Sequence, residues 1–334
     1  MRIATYNVEW FTALFDEDNR LQADDGWSRR RDVTRAMQAE ALGAVFRAMD
    51  ADAIMVIEAP DQGSRRSTRA ALEGFAARYD LRTSRALSGF ASDTQQEIAL
   101  LYDPDWLSAA HAPSDLGAPR FDMDFALDLD VDAVPDPVRW SKPPLELWIT
   151  PRDGVPFRMI GVHAKSKAPH GARSPEDATR IAIANRRKQL AQCIWLRRRV
   201  SAHLAEGTPL MVLGDFNDGP GLDVYERLFG RSGVEIVLGE GAEAPLYDPH
   251  AAEALERRLG TMPSTARFFR KDTNRYLAAL LDYIMVSADL RARAGLWRIL
   301  HPFDDPDCFG DADLQSALLT ASDHFPVVCE LDLS

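Results

Sequence analysis

The chain has 334 residues, 46% of them hydrophobic and 27% charged, enough apolar side chains for one large domain or two ordinary ones. Nothing linker-like divides it, so a single domain over residues 1–334 is expected. Its formal net charge of -12 excludes tight, unspecific binding to duplex DNA, where Lys and Arg on phosphates supply most of the affinity. No apolar run approaches membrane-spanning length, no leader precedes the first strand pattern, and Cys193, Cys308 and Cys329 form neither a closed disulfide set nor a Cys-x-x-Cys zinc spacing, so a reduced, cytoplasmic protein is expected.

Short apolar runs alternate with helical periodicity along the chain, without internal repeats. Met1–Val8 reads as a strand ending Thr5-Tyr6-Asn7. Arg30–Met49 reads as a helix with Val33, Met37, Ala41, Ala44, Val45 and Ala48 on one face. Ala53–Ile57 is a buried strand running into Glu58, followed by a helix over Thr68–Tyr79 and strands at Ile98–Tyr102, Leu145–Thr150 and Phe157–Val162. Between these, Phe121–Pro137 alternates Phe125, Leu127, Leu129 and Val131 with acids, the pattern of an added strand or hairpin at an exposed edge. Ser174 is placed to cap a helix with Pro175 first and Glu176 and Asp177 in its opening turn, extending to about Ala205 with Leu190 and Ile194 inward. A strand at Leu210–Leu213, a helix near Asp223–Phe229 and strands at Leu281–Val286 and Phe325–Leu331 follow. Cys193 falls in a helix and Cys329 in a strand, as buried reduced thiols do. The basic clusters Arg29-Arg30-Arg31, Arg186-Arg187-Lys188 and Arg197-Arg198-Arg199 read as solvated helix faces. Paired strands mixed with helices indicate two stacked sheets with helices outside.

Several strands end in polar residues of one chemical kind. Leu210–Leu213 breaks into Gly214-Asp215-Phe216-Asn217, and residues two apart in extended chain point to the same side, so Asp215 and Asn217 present two oxygens to one point. The strand Phe157–Val162 runs into His163-Ala164-Lys165-Ser166-Lys167, Asp282 opens another strand, and Ser322-Asp323-His324 precedes the last. Each fragment alone has an ordinary reading as a turn, a surface acid or a satisfied core histidine. Their recurrence points to a site, because a sheet gathers its strand ends along one edge.

In order, Asn7, Glu58, His163, the Gly-Asp-Phe-Asn at 214–217, Leu-Asp-Tyr at 281–283 and Ser-Asp-His at 322–324 resemble the motifs of the endonuclease/exonuclease/phosphatase superfamily, over nearly the whole chain. That group includes deoxyribonuclease I, exonuclease III-like repair nucleases, neutral sphingomyelinases and inositol polyphosphate 5-phosphatases. The resemblance implies an α/β fold, a four-layer α-β-β-α sandwich of two stacked mixed sheets flanked by helices. It also implies hydrolysis of a phosphodiester or phosphomonoester, dependent on one or two Mg²⁺ or Mn²⁺ ions. Oxygen-only ligands from Asn7, Glu58, Asp215, Asn217 and Asp323 suit such hard ions, whereas zinc prefers nitrogen and sulfur. By the same resemblance Asp215 orients or deprotonates the attacking water and Asn217 supports it. His324 donates to a phosphate oxygen or transfers a proton, with Asp282 fixing its tautomer, and His163 is a second phosphate-facing histidine.

Two features depart from the pattern. Ile57 stands where many relatives carry Gln, which bears on the local support of Glu58, and the insertion Thr12–Trp27 after the first strand is expected to overhang the active-site mouth with its acids. His163-Ala-Lys-Ser-Lys167 is similar to a segment of bacterial secreted and cell-associated nucleases in the superfamily, which implies phosphate contacts from Lys165, Lys167 and Arg173. A nuclease acting on DNA or RNA is therefore the first reading, with single-stranded or short substrates favoured by the acidity. A phosphatase or phosphodiesterase for a small or lipid phosphate is the second, and a non-catalytic scaffold the third. No membrane or obligate protein partner is indicated.

Overall fold

The computed structural model describes residues 1–127, 136–169, 171–220, 230–256, 262–270 and 274–333. In β1 (Arg2–Asn7) and β2 (Ala53–Ala59) alternate side chains enter two different cores. Ile3, Ala53, Met55 and Ile57 face one way, while Ala4, Tyr6, Ile54 and Val56 face the other. A strand with a period of two and apolar residues on both faces must lie in an inner layer.

That requirement builds the molecule. One sheet has six strands in the order β14-β15-β1-β2-β4-β3, comprising β3 (Arg85–Ser88), β4 (Glu97–Tyr102), β14 (Ala294–Ile299) and β15 (Val327–Leu331) besides β1 and β2. The other has five in the order β13-β10-β9-β8-β5, from β5 (Leu107–His111), β8 (Leu145–Pro151), β9 (Phe157–His163), β10 (Leu210–Asp215) and β13 (Asp282–Val286). Both are mixed: β1 runs parallel to β2 and β9 to β10, and the other pairs are antiparallel. Met55, Ile57, Val327 and Cys329 of the first sheet meet Leu147, Met159, Met211 and Ile284 of the second in a shared core. On the outer face of the first sheet lie α1 (Arg35–Met49), α2 (Thr68–Arg78) and the helix Ala312–Ala321, and on that of the second lies α3 (Pro175–Ala205). The result is four layers, helix-sheet-sheet-helix, and each large apolar side chain it buries fully contributes roughly 1.5–3 kcal/mol.

Local rules set the element ends. Ser174 accepts from Asp177 N at 3.1 Å and Pro175 follows it, as the sequence indicated for α3. α1 begins at Arg35, later than the expected Arg30, with Thr34 as its cap. The reason is backbone: Arg29 (φ 73) and Asp32 (φ 59) adopt the left-handed region, so Arg29-Arg30-Arg31 is a turn and not a helix face. The clusters on α3 are not simply solvated either. Arg186 and Arg199 are buried on Asp218 and Glu146, and Arg197 donates to the carbonyls of Val237, Leu238 and Ala244.

Phe121–Pro137 does contain a hairpin, β6 (Phe125–Leu127) with β7 (Asp136–Val138), but it packs on α3 instead of forming an exposed edge. Phe125 lies 5.2 Å from Trp195, ring centroid to centroid. Leu129, Val131 and the helix expected near Asp223–Phe229 lie outside the described residues. A second hairpin, β11 (Ala266–Arg270) with β12 (Arg275–Ala279), rises beside the start of β13. All three cysteines are free and buried.

Candidate active site

The C-terminal ends of β1, β2, β9 and β10 and the starts of β13 and β15 share one edge of the sandwich. Asp215 is paired in register with both His163 and Asp282, and Asn7 with Ile57. Gly214 makes the turn into this edge possible. Its φ is 132, and a Cβ there would lie 2.1 Å from the Val162 carbonyl oxygen, a contact no other residue tolerates.

The backbone thereby delivers the Asp215 carboxylate into a cavity of about 640 Å³. Asn7 Nδ2 donates to its Oδ2 at 2.9 Å, Asn217 N to its Oδ1 at 2.7 Å, and Asn217 Nδ2 to Oδ2 at 3.1 Å. Asn217, itself at φ 50, thus meets Asp215 with its amide nitrogen and also donates to the Ala164 carbonyl at 3.2 Å. It is a donor to Asp215, not the second oxygen beside it that the spacing suggested. Burial and the like charge of Asp282 push Asp215 up to about 7, outweighing His324 and the donated hydrogen bonds.

His324 and Asp282 form the second part of the site. The imidazole Nδ1 is 2.7 Å from Asp282 Oδ2, and the Asp282 amide donates to Thr265 Oγ1 at 2.9 Å. Burial alone would lower the His324 pKa, but Asp282, Asp215 and Asp323 overcome it and hold the ring well above the usual histidine range. His163 goes the opposite way, driven well below that range by burial and by the cations of Lys142 and His324. Its Nε2 lies 3.3 Å from Lys142 Nζ and 3.6 Å from Asp215 Oδ2. The two imidazoles of one cavity are thus pushed in opposite directions, His324 toward the cation and His163 toward the neutral form. Donor atoms of Asp215, Asp282 and His324 come within 4.8 Å of one another, and Asp282 and His324 are already hydrogen-bonded to each other.

Further side-chain oxygens line the same cavity. Glu58 sits at a bulge where the β2–β4 register shifts, with φ 60, and among the described residues its carboxylate receives only the Trp10 amide at 3.4 Å. Asn7 Oδ1 is buried without a hydrogen-bond partner, an oxygen that costs free energy unless something electropositive meets it. Asp323 lines the same wall. This oxygen set fits Mg²⁺ or Mn²⁺. Ile57, in the place of the familial Gln, is fully buried in the inter-sheet core and gives Glu58 no polar support.

Two ionisable residues of the cavity were missed in the sequence. Glu9 lies two positions beyond Asn7, pairs with Arg30, and is pushed up to about 7 by burial and then by Asp323. Lys142, among prolines before β8, carried no signal; burial lowers its pKa against the pull of Glu58 and Asp215. Lys165 lines the cavity. Lys167 does not, because Asp218 engages its ammonium, and Arg173 is exposed at the start of α3, away from the lining. Nor do the acids of Thr12–Trp27 reach the mouth: Glu17 pairs with Arg65, Asp18 with Arg20 and Asp24 with Arg35.

A family model described as Endonuclease/Exonuclease/phosphatase family matches residues 4–324. Among solved structures, an endonuclease/exonuclease/phosphatase family protein from Bacteroides thetaiotaomicron is 14% identical over 99% of this chain and 97% of its own, with a TM-score of 0.50. Truncated TDP2 from Caenorhabditis elegans is 13% identical over 98% and 96%, with a TM-score of 0.52. The 3'-5' exonuclease NExo from Neisseria meningitidis is 16% identical over 99% and 100%, with a TM-score of 0.50. At such identities the likeness is one of fold. No curated protein matches the chain.

Proposed function

Because the chain belongs to the endonuclease/exonuclease/phosphatase family, hydrolases of phosphoester bonds, we propose that it is a nuclease that cleaves phosphodiesters in short or single-stranded nucleic acid. The observation that carries this reading is the meeting, in one cavity, of an Asp215 carboxylate oriented by Asn7 and Asn217 with the His324–Asp282 pair. Asn7, Glu58 and Asp323, with Glu9 beside them, would hold Mg²⁺ or Mn²⁺. When bound, the ion would neutralise a phosphate oxygen and the charge building on the leaving oxygen.

The chain's own residues supply the rest. With both oxygens of Asp215 fixed by three donors, its remaining lone pairs are aimed, and the carboxylate takes a proton from a water positioned for in-line attack. The His324 imidazolium donates from Nε2 to a non-bridging oxygen, while Asp282 holds Nδ1 and keeps the ring from turning. Lys142, beside Glu58 and Asp215, and Lys165 add positive charge to the cavity, and neutral His163 accepts from or donates to the same phosphate without adding charge.

The test is hydrolysis of bis-p-nitrophenyl phosphate and of p-nitrophenyl phosphate with Mg²⁺, followed by plasmid and oligonucleotides. Faster turnover of the diester together with cut oligonucleotide is the expected result. Monoester turnover with untouched nucleic acid would replace the nuclease by a phosphatase.

A further inference from the structure

A second cleft of about 650 Å³ lies on the far side of the β11–β12 hairpin from the catalytic cavity and shares Glu9, Phe268 and Asp323 with it. Its walls come from distant parts of the sequence, chiefly the turn before α1, the hairpin and the segment from Leu319 to Phe325. The left-handed residues Arg29 and Asp32 shape that turn so that Arg30 is buried on Glu9 while Arg29 and Arg31 are left exposed. Arg29 lies 5.4 Å from the Trp10 ring, Arg31 4.3 Å from Phe269, and Arg267 3.7 Å from Tyr276 and 5.3 Å from Phe303. Tyr276 and Phe303 are 55% and 43% exposed, far more than rings serving a core.

The lining sets Arg30, Arg31 and Arg267 against Glu9, Asp32 and Asp323, so the cleft is charge-balanced in a protein of net charge -12. Among the described residues Arg29 and Arg267 have no carboxylate partner, and that of Arg31 is Asp32, whose side chain is 87% exposed and binds it weakly. The cleft is also tied to the chemistry, since the Arg267 amide donates to the Asp323 carbonyl at 2.7 Å. A guanidinium lying on a ring keeps its N–H edge free for a phosphate, and the exposed rings keep a face free for a base. Alternating cations and rings match a single strand, which offers a phosphate and an unstacked base at every nucleotide. A duplex hides its base faces and would leave the rings unused.

We infer that this cleft is a subsite for single-stranded nucleic acid, holding nucleotides next to the scissile phosphate. Arg31 and Arg267 take backbone phosphates, and the exposed ring of Tyr276 stacks a base. The inference rests on the nuclease reading above.

The double variant Arg31→Ala, Arg267→Ala tests it against wild type with a fluorescent oligothymidylate of about a dozen nucleotides. Binding is followed by anisotropy in EDTA, and kinetics on the oligonucleotide and on bis-p-nitrophenyl phosphate with Mg²⁺. The double variant is expected to bind at least about tenfold more weakly, with the slope of log affinity against log salt reduced by about 1.4, or 0.7 for each phosphate lost. Its KM on the oligonucleotide should rise about tenfold more than its KM on the small diester. Tyr276→Ala should weaken binding with the salt slope unchanged, the signature of lost stacking. A folded double variant with wild-type affinity, or with equal losses on both substrates, overturns the subsite and leaves the nuclease reading standing. A wild-type enzyme that turns over the small diester but neither binds nor cuts the oligonucleotide overturns both.

Discussion

Asp215 accepts three hydrogen bonds from two asparagines, so a change of one atom in it tests the chemistry without disturbing the volume. Asp215→Asn removes the proton acceptor and turns an accepted hydrogen bond into a clash of donors. Hydrolysis of bis-p-nitrophenyl phosphate should fall by about a hundredfold to ten-thousandfold, while the circular dichroism spectrum stays that of wild type. His324→Ala should cost about a hundredfold or more by loss of a charged donor; wild-type rates in either variant would remove these residues from the reaction. Most of this constellation was legible because Asn7, Glu58, His163, Asp215, Asp282 and His324 each interrupt or border an apolar run. Glu9 and Lys142 were not, since Glu9 lies beyond the strand and Lys142 between a serine and prolines. Lys167 was misplaced for a different reason: its partner Asp218 is 51 residues away, and no local pattern announces a buried ion pair.

At the level of elements, α3 is bolted to the second sheet by Arg199, whose Nη1 donates to Glu146 Oε1 at 2.6 Å with both side chains buried. Glu146→Ala strands a buried cation and should destabilise the fold by about 3–5 kcal/mol. Asp18→Ala, which breaks an exposed pair with Arg20, should leave the urea midpoint where it was. A second fastening joins β14 to the helix Pro306–Gly310 through Arg298 and Asp305. Burial would raise the Asp305 pKa, but the Arg298 hydrogen bonds and the Cys308 amide bring it down to about 2 from the ordinary 3.8. A depressed carboxylate stabilises the fold fully above its unfolded pKa, so this contribution persists at neutral pH and disappears as pH falls from about 4 through about 2. The acid side of the stability profile should therefore be shallower in Arg298→Ala than in wild type. The long helix was readable from Ser174-Pro175, whose cap chemistry is local. The β11–β12 hairpin was not, because Ala266–Arg270 and Arg275–Ala279 mix arginine with aromatic residues and show no continuous apolar face.

Across the whole molecule, the layer order followed from strands apolar on both faces, whereas the edge strands β3, β5 and β14 escaped notice because each is short or exposes part of its length. No described helix is long and apolar enough to cross a membrane. If Asn7, Glu58 and Asp323 hold the ion, Mn²⁺ binds the folded chain and not the unfolded one. Saturation at about a hundred times the dissociation constant should add about 2.7 kcal/mol of stability, read as a rise in Tm that EDTA reverses. Glu58→Ala and Asp323→Ala should abolish the rise, and its survival in both would place the ion elsewhere. The cavity draws on both sheets, and Ser322 Oγ reaches back to donate to the Asn7 carbonyl at 2.8 Å across 315 residues of sequence. A ribosome therefore releases the first and last contributors to this cavity far apart in time. Until β15 is laid between β14 and β1, a growing or truncated chain carries Asn7, Glu58 and Asp215 without the His324 imidazole beside them.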